Sequence, residues 1–197
     1  AGEHVELVLP AAFVDQAADP LVLDPLIGSV FGIASGSFAS YIEPDTAYAA
    51  TTDSWIVVFE QYLSSTSVDI LAQRINGNGS ALGSLTTIAT GVDAGRPRVA
   101  NLGSRDRFGI VWRQQDATGP SIRFAAVPAA GGGPTHTLTV ASTFSGDLLD
   151  PDIGADANAP IGSNRGFVVV YRDDALGAIR IRRIHFTAND QLISPSA

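Results

Sequence analysis

Cysteine, methionine and lysine do not occur among the 197 residues, and each absence removes a class of explanation. Without cysteine there are no disulfides and no thiolate metal centre. Without methionine the chain begins with no initiator residue, so it is expected to have been processed or cut from a longer polypeptide. A signal peptide ahead of Ala1 agrees with secretion. All 12 basic residues are arginine and 20 residues are acidic, for a net charge of -8. An acidic chain with no basic block lacks the clustered cations that give affinity for a phosphate backbone, which excludes nucleic acid as a partner. The longest apolar run, near residues 21–32, is broken by Asp24 and falls short of the roughly 20 residues a membrane-spanning helix needs. Sustained helical periodicity is missing as well. What is present is a hydrophobic content of 45%, enough for a domain of this length to bury a substantial core.

One short pattern occurs three times. Residues 55–60 read WIVVFE, residues 108–113 FGIVWR and residues 167–172 FVVVYR. Each is an aromatic, three aliphatic or glycine positions, a second aromatic and a charge. In a β-strand the two aromatics share a face and the closing charge lies on the other. Three charged-Pro-charged triplets precede these strands: Glu43-Pro44-Asp45, Arg96-Pro97-Arg98 and Asp150-Pro151-Asp152, with the prolines 53 and 54 residues apart. Each proline is expected to open a first strand, where a missing N–H does least harm. The third interval is longer than the first two by five residues, which predicts an insertion in the loop 155–164. Further alternating strands end at Ile75, Val127 and Ile184, and fourth strands surround Ile88 and Val140. Asn76-Gly77-Asn78-Gly79 and Gly131-Gly132-Gly133-Pro134 fill the same gap between third and fourth strands, as hairpin residues that tolerate positive φ should.

Four strands in a unit of about fifty residues describe a blade of a β-propeller. The predicted fold is therefore all-β: a propeller segment of four-stranded antiparallel blades, two complete and two partial. The expected boundaries are 1–42 (the end of a first blade), 43–95, 96–149 and 150–197 (an incomplete blade). Residues 26–37 align with residues 81–92 and are predicted as a fourth strand, with an earlier strand in 5–14 and a turn at 23–25. The fourth strand of the last blade is expected at Ala197, by analogy with Ile88 and Val140.

The segments VDILAQRINGNGSALG, VLDPLIG and GFVVVYRD resemble the tandem propeller repeats of large secreted or cell-surface proteins from high-GC bacteria. In those repeats an aromatic-aliphatic strand, a strand ending in an Arg-Val or Arg-Ile pair, and a Gly or Leu-Asp-Pro turn recur. The likeness runs from about Leu21 onward, and the second blade departs from it with Ala126-Val127 where arginine is expected. The resemblance implies secretion and a non-catalytic scaffold or binding role, with no catalytic residue to carry over.

The candidate site is the set of triplets. If each lies on the innermost strand of its blade, Glu43, Asp45, Arg96, Arg98, Asp150 and Asp152 meet near one mouth of the central channel, acidic, basic, acidic around the ring. Arg96 and Arg98 are then expected to pair with carboxylates of the neighbouring blades. The same mouth is where a polar or carbohydrate ligand would bind. Asp150, Asp152, Asp156 and Asn158 have a calcium-loop look, but the pattern needs an oxygen ligand at position 154, which is glycine. Glu60, Arg113 and Arg172 close the aromatic strands and are expected to reach solvent, beside neighbours such as Arg74 or Asp173. The aromatics Trp55, Phe59, Phe108, Trp112, Phe167 and Tyr171 are expected in the core between blades. His4, His136 and His185 fall at unrelated repeat positions, no metalloprotease or nucleophile-elbow motif occurs, and Asn78-Gly79-Ser80 is a formal glycosylation sequon.

Neither a metal nor a cofactor is predicted. The function expected is a non-catalytic interaction or structural scaffold within a larger secreted or surface propeller. Its partner would be the remainder of that propeller, as a second chain or a second copy. The alternatives are a glycan hydrolase or lyase using the mouth carboxylates, and a subunit of an extracellular filament or matrix.

Overall fold

The computed structural model describes residues 32–34, 40–64, 67–160, 165–187 and 191–193, all within one compact unit, Gly32–Ala197. Among the described residues, twelve strands form three antiparallel sheets of four, each sheet made of consecutive strands. The first holds β1 (Ser40–Ala49), β2 (Ser54–Ser64), β3 (Ser67–Asn76) and β4 (Ala81–Val92). The second holds β5 (Ala94–Leu102), β6 (Arg107–Asp116), β7 (Gly119–Pro128) and β8 (His136–Ser142). The third holds β9 (Leu148–Gly154), β10 (Gly166–Asp173), β11 (Ala178–Phe186) and β12 (Leu192–Ile193). The first strands β1, β5 and β9 lie side by side at the inner edges of their sheets. Successive sheets stack through two apolar cores. Face-to-face stacking of meandering four-stranded sheets, first strand innermost, is a β-propeller segment, and the sheets are its blades.

The alternation of each strand builds these cores. Ile56, Val58, Ile70 and Ala72 of the first blade are buried with Phe108, Ile110, Trp112 and Val127 of the second. Val111, Ile122, Phe124 and Ala126, on the opposite face of the second blade, are buried with Phe167, Val169, Tyr171, Ile184 and Phe186 of the third. Each buried ring or branched side chain is worth about 1.5–3 kcal/mol of transfer free energy. Phe59 is buried as well, but Trp55 is 40% exposed, contrary to expectation. It stands at the end of β2, directly opposite Tyr48 across the strand pair, and its ring stacks on that tyrosine 4.9 Å away.

Two strand placements differ from the sequence reading. The prolines do not open the first strands: Pro44, Pro97 and Pro151 sit inside β1, β5 and β9. The pairing register shifts at all three, between Ile42 and Asp45, between Gly95 and Arg98, and between Leu149 and Asp152. A bulge takes the proline out of the ladder, so its missing N–H breaks no bond. In the third blade a fourth strand begins sooner than the expected position, at Leu192. It pairs Ile193 with His185 and Leu192 with Phe186. The Thr187 N–H donates to the Gln191 carbonyl at 2.8 Å, between the two strands. Residues 32–34, inside the predicted strand 26–37, are not strand. The rest of that prediction, those for 5–14 and 23–25, and Ala197 lie outside the described residues.

The loops tie blades together. In the β3–β4 hairpin the Gly79 N–H donates to Asn76 at 3.0 Å, with Gly79 at φ 89°. The described part of the predicted insertion packs against the 3-10 turn Gly103–Arg105 of the second blade, where the Gly103 N–H donates to the Asp156 carbonyl at 3.1 Å. A Cβ at residue 103 would run into the Ala157 carbonyl, which is why glycine stands there.

Candidate functional site

The bulges set up the chemistry of the inner edge. In each, the residue before proline is held in the left-handed region: Glu43 at φ 50°, Arg96 at 55° and Asp150 at 49°. Such a conformation costs a non-glycine residue of order 1–3 kcal/mol. Three blades repeat it at the same place, and each bulge leaves backbone N–H groups without a ladder partner.

At the bulge of the second blade, side chains of the first accept such N–H groups. Glu60 accepts a hydrogen bond from the Arg96 N–H at 2.5 Å, thirty-six residues away in sequence. Asp45 accepts the N–H of its neighbour Thr46 through Oδ1 at 2.9 Å, and through Oδ2 the N–H of Val99, on the inner edge of the second blade, at 2.8 Å. Glu60 is therefore buried, not the solvent-reaching charge expected of a strand end. Its alternation phase points it away from the aromatics, and that face is covered by the next blade. Burial pushes the Glu60 carboxyl above its ordinary value, partly offset by the Arg96 N–H that it accepts.

Ion pairs complete the set. Arg98 pairs with Glu43 of the first blade at 3.5 Å, and its guanidinium also donates to the Pro97 carbonyl at 2.8 Å. Arg96 pairs with Asp150 of the third blade, and the other oxygen of Asp150 meets Arg172 at 3.1 Å. Both arginines thus bridge to the acidic blades on either side, as the alternation of sign predicted. Arg113, at the position equivalent to Glu60, makes a two-pronged contact with Asp147 of the third blade, Nε to Oδ1 and Nη2 to Oδ2 both at 3.2 Å. It also reaches Asp93 of its own blade at 3.5 Å. Arg172 contacts Asp174 rather than Asp173, and Arg74 donates to the Ala130 carbonyl in the glycine-rich loop of the second blade at 2.9 Å.

A cleft of about 350 Å³ is lined by Glu43, Arg96, Arg98, Asp150, Pro151 and Asp152, so five of the six candidate residues converge. The sixth, Asp45, is turned into the seam between blades. Sequence reasoning missed Asp93 and Asp147, which lie four residues before Pro97 and Pro151; that shared offset is the signal that could have found them. Among the described residues no three of His, Asp and Glu are grouped to hold a metal. Asp156 instead accepts the Asn158 N–H at 3.1 Å, within the loop. His136 stacks edge-on against Phe186 at 5.3 Å, apart from the cleft.

No family model and no curated protein matches the chain. Among solved structures, it aligns with a GH43 endo-arabinanase from Bacillus licheniformis at 13% identity and a TM-score of 0.42. The alignment covers 80% of this chain and 58% of that one, so the chain spans little more than half the length of that enzyme.

Proposed function

We propose that the chain is a non-catalytic scaffold, a segment of a larger secreted or surface β-propeller. The observation that carries this reading is that the charges of the inner edge are used between blades. Glu43 and Asp150 are each held by an arginine from the second blade, and Asp45 and Glu60 each accept a backbone N–H of that blade. Acid-base work on a glycan needs a carboxyl pair facing substrate, with one member protonated. A carboxylate engaged by a guanidinium or a backbone N–H of the next blade suits a tie between blades and not a carboxyl pair facing substrate. The cleft remains the place where a polar or carbohydrate ligand would be held, by the outward edges of these same pairs.

The test is a reducing-sugar assay with the intact chain on a panel of plant and bacterial polysaccharides, arabinan included. No product is expected. Product that disappears in Asp150→Asn or Glu43→Gln would replace the scaffold with the hydrolase reading. Electron micrographs showing an ordered lattice of the purified chain would favour the filament or matrix subunit.

A further inference from the structure

The outward face of the third blade repeats, position for position, the faces that are covered in the first two. Pairing registers place Val168, Val170, Ile179 and Ile181 where the first blade has Ile56, Val58, Ile70 and Ala72, and the second has Gly109, Val111, Ile122 and Phe124. Those eight residues are buried beneath the next blade's aromatics, Phe108 and Trp112 in one junction, Phe167 and Tyr171 in the other. On the third blade Ile179 is 73% exposed, Ile181 68% and Val168 37%. An apolar patch of this kind on a folded sheet marks an interaction surface.

The polar ties repeat too. Asp152 stands where Asp45 does. Like Asp45, it accepts its neighbour's N–H through Oδ1, here that of Ile153 at 2.8 Å. Asp45 uses Oδ2 for the Val99 N–H, two residues beyond the proline of the next blade. The Oδ2 of Asp152 has no such acceptor role among the described residues. Arg172 stands where Arg113 does, and Arg113 grips a carboxylate four residues before the proline of the next blade.

We infer that this face is a seat for one further blade, supplied by the longer polypeptide of which the chain is a segment. The incoming blade is specified by chemistry. Its second strand presents two aromatics four residues apart, its first strand carries a proline bulge whose second following N–H meets Asp152, and an acidic residue four before that proline meets Arg172. The inference rests on the reading of the chain as part of a larger propeller, and it holds whether or not that propeller is catalytic.

The probe is the chain's own second blade. Residues 93–142 satisfy every requirement, with Asp93, Pro97, Val99, Phe108 and Trp112 in place. A duplicate of 93–142 fused after Ala197 is compared with the unmodified chain for melting midpoint and for fluorescence of the dye ANS, which reports exposed apolar surface. The fusion should melt higher and bind less dye. Ile181→Asp should abolish both gains in the fusion and leave the midpoint of the unfused chain unshifted, and Asp152→Ala, which also loses the Ile153 N–H in both, should lower the midpoint of the fusion by more than that of the unfused chain. Equal midpoints and equal dye binding in fused and unfused chains would overturn the seat. An unfused chain that is a dimer, dissociated by Ile181→Asp, would overturn the assigned occupant in favour of a second copy. None of these readings depends on the sugar assay, so the seat and the scaffold can fail separately.

Discussion

The two blade junctions meet the same demand with different side chains. At the first, Glu60 reaches across as an acceptor for a backbone N–H; at the second, the equivalent Arg113 reaches across as a donor to a carboxylate. The sign of the charge inverts while the direction of reach is kept, so what the position requires is a tie to the next blade. The apolar layers differ in the same way. The first junction sets one indole, Trp112, in a cluster containing Ala72 and Ala125. The second sets Phe124 against Phe167, ring centres 5.3 Å apart, and Gly109 makes the room. The two seams are filled by side chains of different shape.

Removing the largest ring should do the most damage. Trp112→Ala leaves a cavity between the first two blades and should cost about 3–5 kcal/mol in urea melts; a much smaller loss would mean that the indole packs on nothing essential. Next comes Gly109→Val, which imitates the aliphatic residue of the other junction. Its Cβ would lie 2.6 Å from the Phe167 ring and 2.9 Å from Phe124. Overpacking should cost about 1–3 kcal/mol, although Ile56 is accommodated at the same position one blade earlier. A neutral result would show that the two junctions share one shape after all.

Glu60→Gln sharpens the comparison of charges. The Glu60 pKa is raised in the folded state, so between its ordinary value of 4.5 and the raised one the folded chain holds a proton that the unfolded chain has released. Its contribution to stability is therefore full below that window and is lost as pH rises through it. Glutamine keeps the oxygen that accepts the Arg96 N–H and carries no charge to desolvate. The variant's melting midpoint should accordingly fall less than the parent's as pH is raised from 4.5, and parallel curves would refute a buried carboxyl. The smallest effect should be that of Arg96→Ala. Its pair with Asp150 is half exposed on both sides, and exposed pairs are worth about 0–1 kcal/mol.

The repeating architecture was legible because each strand carries its own alternation and the aromatic pairs recur at fixed offsets from the prolines. The ion pairs of Arg96 and Arg98 were legible for a related reason: equivalent positions in adjacent blades are neighbours, so alternating signs imply contact. Glu60 was misread because its partner is a backbone N–H freed by a bulge in the next blade, which no local pattern announces. The prolines were placed at strand starts because proline cannot donate to a ladder. A bulge escapes that rule, and residues Glu43, Arg96 and Asp150 give no hint in sequence that they adopt positive φ. Trp55 was assigned to the core by its strand phase, whereas its position at the strand end put it beside Tyr48 at the rim.

The claim underlying all of this is that inner-edge charges act between blades. A double-mutant cycle on Arg113 and Asp147, read by urea denaturation of Arg113→Ala, Asp147→Ala and the pair, measures it directly. Their two-pronged contact at a partly buried seam predicts a coupling of about 1 kcal/mol, the double variant losing that much less than the sum of the single losses. Strict additivity, with both single variants as stable as the parent, would contradict it and return these charges to the solvent.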